Sequence, residues 1–251
     1  MIYNISNIVN NSLPGLWNEG NPFQKIEIYS IQDNKLPPVN YDSFTIKSHS
    51  ITHCESMKHV DNNGKDISEL IISNPSYFYG DCLVIKFDDN YAEIGDDLSL
   101  QVIDIDEFEQ KIKSLNINSM PQKILITTKN YPQNQYGYHK ENYILIISDK
   151  LAEHLVDKYS IHLFGTSWKS ADYKPKSKER PVHKSLLSNG VIFELLNLNN
   201  VPEGSYFFTG FPLLIENTSE SPVSPILMSY DEIGVNYYLY EINKKKNKEI
   251  L

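Results

Sequence analysis

The sequence predicts an α/β fold with additional β structure in its first third, and three observations predict it. Compact apolar runs rich in β-branched residues recur after residue 80. Segments with apolar residues at helical spacing separate those runs. Residues 1–45, by contrast, are rich in Asn, Pro and aromatics and show no helical period, which suggests short strands and loops wrapping an edge. No Gly/Ser linker, repeat or composition break divides the 251 residues, so a single domain over 1–251 is expected, with a tail from about residue 241.

Taken in order, Phe44 to Thr52 reads as β-like. Asp66 is placed to cap a short helix over 67–73. Asp81 to Phe87 is a compact apolar strand. Asp104 or Asp106 then opens a helix carrying Phe108, Ile112 and Leu115 on one face. Lys123 to Thr128 is a second buried strand, and Ser148 caps a helix over 148–159 whose inner face holds Leu151, Leu155 and Val156. His162 to Gly165 forms a further strand. Val182 to Asn189 reads as a short helix stopped by Gly190, followed by a buried strand from Val191.

Composition narrows the functional classes. Hydrophobic residues make up 40% and charged residues 22%, as in an ordinary globular protein. A net charge of −9 argues against a nucleic-acid partner, whose phosphates demand a basic footprint. The one positive run, Lys244-Lys245-Lys246-Asn247-Lys248, reads as a solvated end. Two cysteines, Cys54 and Cys82, are too few for a disulfide framework. No signal peptide or 18-residue apolar stretch is evident, so no membrane partner and a cytoplasmic location are expected.

The segment His49-Ser50-Ile51-Thr52-His53-Cys54-Glu55-Ser56-Met57-Lys58-His59 holds three of the seven histidines and a carboxylate. Imidazole nitrogen with carboxylate oxygen is a donor set that zinc, manganese or iron accepts. All four residues are odd-numbered, so an extended strand would turn them to one face. Residues four apart on a flat strand lie roughly 13 Å from one another, too far to share one ion. A bend must therefore fall within the segment, or two metals must share it. Parity points Cys54 away from the ligands, as a packing thiol. Further on, Glu194 sits among Val191, Ile192, Phe193, Leu195 and Leu196, where a bare carboxylate is costly and a cation is its natural partner. His139, His154 and His162 read as structural.

These motifs resemble those of the metal-dependent cyclase and kynurenine formamidase-like hydrolases. The first segment is similar to that family's His-x-Gly-Thr-His-x-Asp-x-Pro-x-His. His183-Lys184-Ser185-Leu186-Leu187-Ser188-Asn189-Gly190-Val191 resembles its His-x-x-Leu-Leu-x-x-Gly-(Val/Ile), followed by a strand Glu. Gly165 to Asp172 resembles its Gly-Ile-Asp-x-x-Ser-x-Asp, Asn4-Ile5-Ser6 its Asp-Leu-Ser opening, and Tyr206–Pro212 with Ser221-Pro222-Val223 its closing strands. The resemblance implies a β/β/α swivelling-type domain, dimeric or tetrameric, holding one or two divalent ions, Zn or Mn. It implies that His49, His53 and Glu55 bind one ion with Glu194 contributing, and that Glu55, His59, His183 and Glu194 hold a second.

The resemblance further implies hydrolysis of an amide, formamide, lactam or lactone in a small-molecule substrate, with His59 and Glu194 as catalytic residues. Trp17, Phe23 and Trp168 are candidates for an aromatic pocket, and Ser170 and Asp172 for support beside the site. Three positions depart from the signature: Ile51 replaces Gly, Glu55 replaces Asp and Met57 replaces Pro. If position 51 requires positive φ, a β-branched residue is strained there. These departures leave open a binding or regulatory protein on the same fold, or a biosynthetic cyclase or dehydratase.

Overall fold

The computed structural model describes residues 1–33, 38–117, 119–173 and 179–234. The expected tail from 241, with its lysine run, lies outside the described residues. The chain begins with β1 (Ile2–Asn4), a hairpin of β2 (Phe23–Tyr29) and β3 (Tyr41–Ile46), and the three-residue β4 (His53–Glu55). Helix α1 (Ile67–Ser73), β5 (Tyr79–Phe87), β6 (Ala92–Gly95), β7 (Leu98–Ile103) and α2 (Ile105–Ser114) follow. Next come β8 (Lys123–Thr128), β9 (Tyr143–Ile147), α3 (Asp149–Tyr159), β10 (Leu163–Thr166), α4 (Pro181–Leu187) and β11 (Val191–Glu194). Strands β12 (Gly204–Thr209), β13 (Glu220–Pro222) and β14 (Ile226–Met228) close the described chain.

The expected caps account for three of the helices. Asp66 and Glu69 form a reciprocal capping box on α1, Asp104 accepts from Glu107 N on α2, and Ser148 accepts from Leu151 N on α3. Helix α4 starts differently, with Pro181 in its first turn, where a missing N–H costs nothing. It stops at Leu187, before Gly190. Gly190 serves another purpose: a Cβ there would lie 1.9 Å from the His162 carbonyl oxygen, so glycine is required by close backbone approach. The expected β run over 44–52 is also corrected. Strand β3 ends at Ile46, and Ser48–Ser50 form a 3-10 turn.

Nine strands form one mixed sheet in the order β1-β14-β12-β5-β8-β10-β11-β4-β13. Its centre is parallel, β5 to β8 to β10 to β11, which explains their near-continuous apolar character. Both wings are antiparallel. A small sheet of β6, β7 and β9, not anticipated from the sequence, lies apart from it. Side chains alternate between two cores. Leu83, Ile85, Ile124, Ile126 and Ile192 join Phe108 of α2, Leu151 and Leu155 of α3 and Leu186 of α4. Val84, Leu125, Val191 and Phe193 meet Ile67 and Leu70 of α1 on the opposite face. No helix among the described residues is long and apolar enough to cross a membrane.

Helices α2 and α3 are clasped by one carboxylate. Glu109 Oε1 accepts from His154 Nε2 at 2.7 Å, Lys158 Nζ at 2.8 Å and Tyr159 OH at 2.7 Å. Partial burial opposes the charge, but these donors outweigh it and bring the carboxyl from its usual 4.5 to about 2. A depressed folded-state value means stability that is full above the unfolded value and lost as pH falls through the folded one. Glu109→Gln is expected to cost about 1 kcal/mol at pH 7, allowing for partial exposure. Urea midpoints of the two proteins should converge as pH falls from about 5 towards 2. A gap independent of pH would show that the carboxylate is not held by these partners.

Candidate metal centre

The centre is built on β4, the penultimate strand of the sheet. Its antiparallel register with β11 sets Glu194 opposite His53 and Ile192 opposite Glu55, while register with β13 sets Glu220 opposite Glu55. Directly opposed residues share a face. His53, Glu55, Glu194 and Glu220 therefore emerge together on the side covered by α4, and Cys54 packs with Phe193 in the other core. The bend demanded by the ligand spacing is present twice. The 3-10 turns Ser48–Ser50 and Met57–His59 flank β4 and fold His49 and His59 back over it. Helix α4 delivers His183 from the side.

The six residues implied by the resemblance are thereby brought to one place. Glu55 Oε1 lies 3.4 Å from His49 Nδ1, 3.4 Å from His53 Nε2 and 3.6 Å from His59 Nε2. Glu55 Oε2 is 3.2 Å from His183 Nε2. Glu194 bridges the same two imidazoles, Oε2 3.5 Å from His53 and Oε1 3.5 Å from His183. Four donors around an ion at about 2.05 Å are separated by about 3.3 Å, so these spacings are those of a coordination shell. Two overlapping triads, His49/Glu55/His59 and His53/Glu55/Glu194, each converge tightly enough for one cation.

Satisfaction of the polar atoms supports the same fit. Glu55 Oε2 is fully buried and accepts no hydrogen bond, although His183 Nε2 lies close by. A buried, unsatisfied carboxylate oxygen is expensive in the absence of a cation. The outer ring nitrogens, in contrast, are engaged. His53 Nδ1 is 2.8 Å from the Ile51 carbonyl, and His183 Nδ1 is 2.7 Å from Asp172 Oδ2. Both contacts leave Nε2 with its lone pair facing the centre. Asp172 also accepts from the backbone N–H groups of Val182 and His183, so one carboxylate fixes the start of α4 and the ring it carries.

Electrostatics show how the two buried carboxylates coexist. Burial would push Glu55 up, but His183, His53 and His59 hold it well below the usual carboxyl range. Glu194 is raised, first by burial and then by the charge on Glu55. Burial works against charge on His53 and His183, yet their carboxylate neighbours raise both. His49, with fewer compensating contacts, is lowered by burial to about 4. The donor set suits a divalent cation, which takes over the compensation that imidazolium protons otherwise supply.

Position 51 is not strained. Ile51 has extended backbone, φ −132° and ψ 171°, and its side chain is buried with Leu13 and Tyr138. The unusual backbone lies at Leu195, φ 59°, immediately after Glu194. Its N–H donates to the Trp168 carbonyl and its carbonyl accepts from the Thr52 hydroxyl. A bulky residue held there stores roughly 1–3 kcal/mol of strain next to a candidate ligand.

Sequence reasoning missed Glu220 and Arg180. Glu220 Oε1 is 3.6 Å from His49 Nε2 and Oε2 is 3.9 Å from His59 Nδ1, on the outer edge of both rings. His59, against the opposing effect of burial, lowers the Glu220 carboxyl to about 2. The polar run Thr218-Ser219-Glu220-Ser221 gives no local signal, and only pairing with β4 places it. Arg180 could have been noticed as the residue ahead of Pro181. Of the aromatic candidates, Trp17 lines the centre and Trp168 is buried beside an adjoining cavity, whereas Phe23 packs on Phe44 and Ile46 in the β2–β3 region.

Comparison with known proteins places this framework in a family. The chain matches the family model described as "Putative cyclase" over residues 4–173. It is 30% identical to a kynurenine formamidase of Geobacillus thermodenitrificans (strain NG80-2) over 215 residues, covering 84% of this chain and 90% of that protein. The fold superposes on isatin hydrolase A from Ralstonia solanacearum with a TM-score of 0.71 at 18% identity, covering 90% and 91% of the two chains. A predicted metal-dependent hydrolase from Bacillus stearothermophilus gives 0.64 at 22% identity, covering 90% and 97%. The chain belongs to the cyclase family, as its motifs led us to expect.

Proposed function

We propose that the protein is a metal-dependent hydrolase that cleaves the C–N bond of an amide, with a formamide or lactam as the substrate type. The convergence of His49, His53, Glu55, His59, His183 and Glu194, with nitrogen-to-oxygen spacings of 3.2 to 3.6 Å about two buried carboxylates, carries this reading. The names of its relatives, kynurenine formamidase and isatin hydrolase, support it. Zn or Mn, as one or two ions, fits the nitrogen and oxygen donors. A divalent ion bound there supplies an acidic water near neutral pH and polarises a carbonyl.

The side chains supply the rest. Hydrolysis adds a water oxygen to the acyl carbon, breaks the C–N bond and places a proton on the leaving nitrogen. His59 stands at the rim with its side chain 19% exposed, able to exchange protons with solvent while Glu220 backs its ring. Glu194, the other residue the resemblance makes catalytic, faces the same centre, its Oε1 accepting from the Ala171 N–H at 2.6 Å. The next residue, Leu195, is tied by its N–H to the Trp168 carbonyl and by its carbonyl to the Thr52 hydroxyl, which fixes the backbone that carries Glu194.

Elemental analysis of the purified protein tests the reading. One or two equivalents of zinc or manganese per chain are expected, and they should be lost in the double variant His53→Ala/Glu194→Gln. Wild-type protein that neither carries nor takes up these ions would sink it.

A further inference from the structure

Each imidazole of the centre turns one nitrogen inward to a buried carboxylate and the other outward. For His53 and His183 the outer atom is Nδ1, held by the Ile51 carbonyl and by Asp172. Among the described residues, the acceptor facing the outer nitrogens of His49 and His59 is Glu220. Its Oε1 lies 3.6 Å from His49 Nε2 and its Oε2 lies 3.9 Å from His59 Nδ1. The two rings face it in opposite senses. His49 turns Nδ1 inward, 3.4 Å from Glu55 Oε1 and 3.2 Å from His53 Nε2. His59 turns Nε2 inward, 3.6 Å from Glu55 Oε1.

Glu220 is fixed in this place by contacts of its own segment. It stands opposite Glu55 in the β13–β4 register, and the residues before it are tied to the turn that carries His59. Ser56 N and Oγ both donate to the Ser219 carbonyl, at 2.9 and 3.1 Å, and His59 N donates to the Ser56 carbonyl at 2.9 Å. The Ser219 hydroxyl donates to Glu220 Oε2. Asp66, the cap of α1, accepts from Asn217 N at 3.0 Å, and Ile67 N donates to the Thr218 carbonyl at 3.1 Å. His49 is anchored as well, its carbonyl accepting from the Trp17 indole at 3.1 Å. The spacings to Glu220 exceed a hydrogen bond by about 0.7–1 Å. Its side chain is 24% exposed, so rotation of the carboxylate and rings closes those gaps with the backbone in place.

We propose that Glu220 is a positioning residue that orients His49 and His59 together, one carboxylate oxygen for each ring. The hydrogen bond made by one imidazole nitrogen decides which nitrogen keeps a lone pair. A proton held on Nε2 of His49 leaves Nδ1 as its donor atom, while a proton held on Nδ1 of His59 leaves Nε2. The centre then takes His49 through Nδ1 and His53, His59 and His183 through Nε2. This rests on the metal-binding part of the hydrolase reading and requires no turnover.

Zinc-loaded protein tests it in two ways: ring tautomers from long-range proton–nitrogen correlation spectra, and zinc affinity in competition with a chelator. Wild type should carry the ring proton on Nε2 in His49 and on Nδ1 in His53, His59 and His183. Glu220→Gln keeps an acceptor for one ring, and zinc affinity should fall about tenfold. Glu220→Ala removes both acceptors, and affinity should fall about 100-fold or more. Glu216→Gln, which removes an exposed charge from the same segment, should leave affinity within about twofold. In both Glu220 variants the ring protons of His49 and His59 should exchange with water faster, and those of His53 and His183 should not. Circular dichroism of the metal-free proteins verifies folding, and the Gln variant carries the test if the Ala variant does not fold. A proton on His49 Nδ1 in wild type, or unchanged affinity in both Glu220 variants, overturns the proposal. Affinity lost with the His49 and His59 ring protons undisturbed also overturns it, since Glu220 is then a ligand or a bare charge. Wild type that binds no zinc sinks the centre and this role with it. Zinc bound in the expected ring pattern by a protein that cleaves no formamide or lactam sinks the hydrolase reading and leaves Glu220 in its role.

Discussion

Glu55→Gln is expected to abolish turnover, lowering kcat/KM by at least a thousandfold, which corresponds to about 4 kcal/mol. The substitution keeps the shape of the side chain and removes the charge that faces four imidazoles. Metal content should fall with it. Added zinc or manganese at about a hundred times the dissociation constant stabilises a folded wild-type protein by about 2.7 kcal/mol. For a chain of this length that is a rise in Tm of about 5–11 °C, and the variant should show none of it. Without metal the variant also loses the charge that His183, His53 and His59 compensate, so it should unfold earlier than metal-free wild type. A variant that still gains stability from added metal would remove Glu55 from the ligand set.

Asp172→Asn should weaken metal binding by about 10–100-fold without unfolding the protein. An amide keeps an acceptor for the N–H groups that start α4, so the cost in stability is about 1 kcal/mol. It cannot offer acceptors to both the backbone and the His183 ring, so the ring loses the partner that turns Nε2 inward. Competition with a chelator measures the affinity, and imidazole nitrogen shifts report the tautomer. An unchanged affinity would show that His183 needs no such support.

These residues also show what could be read before folding and what could not. The histidine spacing on alternate positions called for a bend or for two metals, and the structure has a turn on each side of a three-residue strand. Glu194 announced itself because a carboxylate within an apolar run is costly. Caps at Asp66, Asp104 and Ser148 were legible because each is a local contact over three residues. Glu220 was not legible, since its place depends on a strand pairing that no local pattern encodes. The β7–β9 pairing is non-local in the same way, whereas β6 and β7 form a local hairpin across Asp96-Asp97 that sequence reasoning missed. Position 51 does not require positive φ, so Ile51 sits there without strain; the left-handed backbone lies at Leu195, where no residue preference would suggest it.

The position of β4 between β11 and β13 carries a consequence for the protein's history in the cell. Its neighbours come from residues 191–194 and 220–222, so the first histidines emerge from the ribosome long before the strands that complete their surroundings. Such non-local pairing is slow to form, because the loop must close before any contact rewards it. The nascent chain thus presents His49, His53, Glu55 and His59 as a loose, low-affinity chelator. The spacing of the donors around Glu55 and Glu194 is complete only after β11 has joined β4. A chain truncated before residue 220 would be synthesised with all six candidate ligands and without β13, the strand that flanks β4 on its outer side.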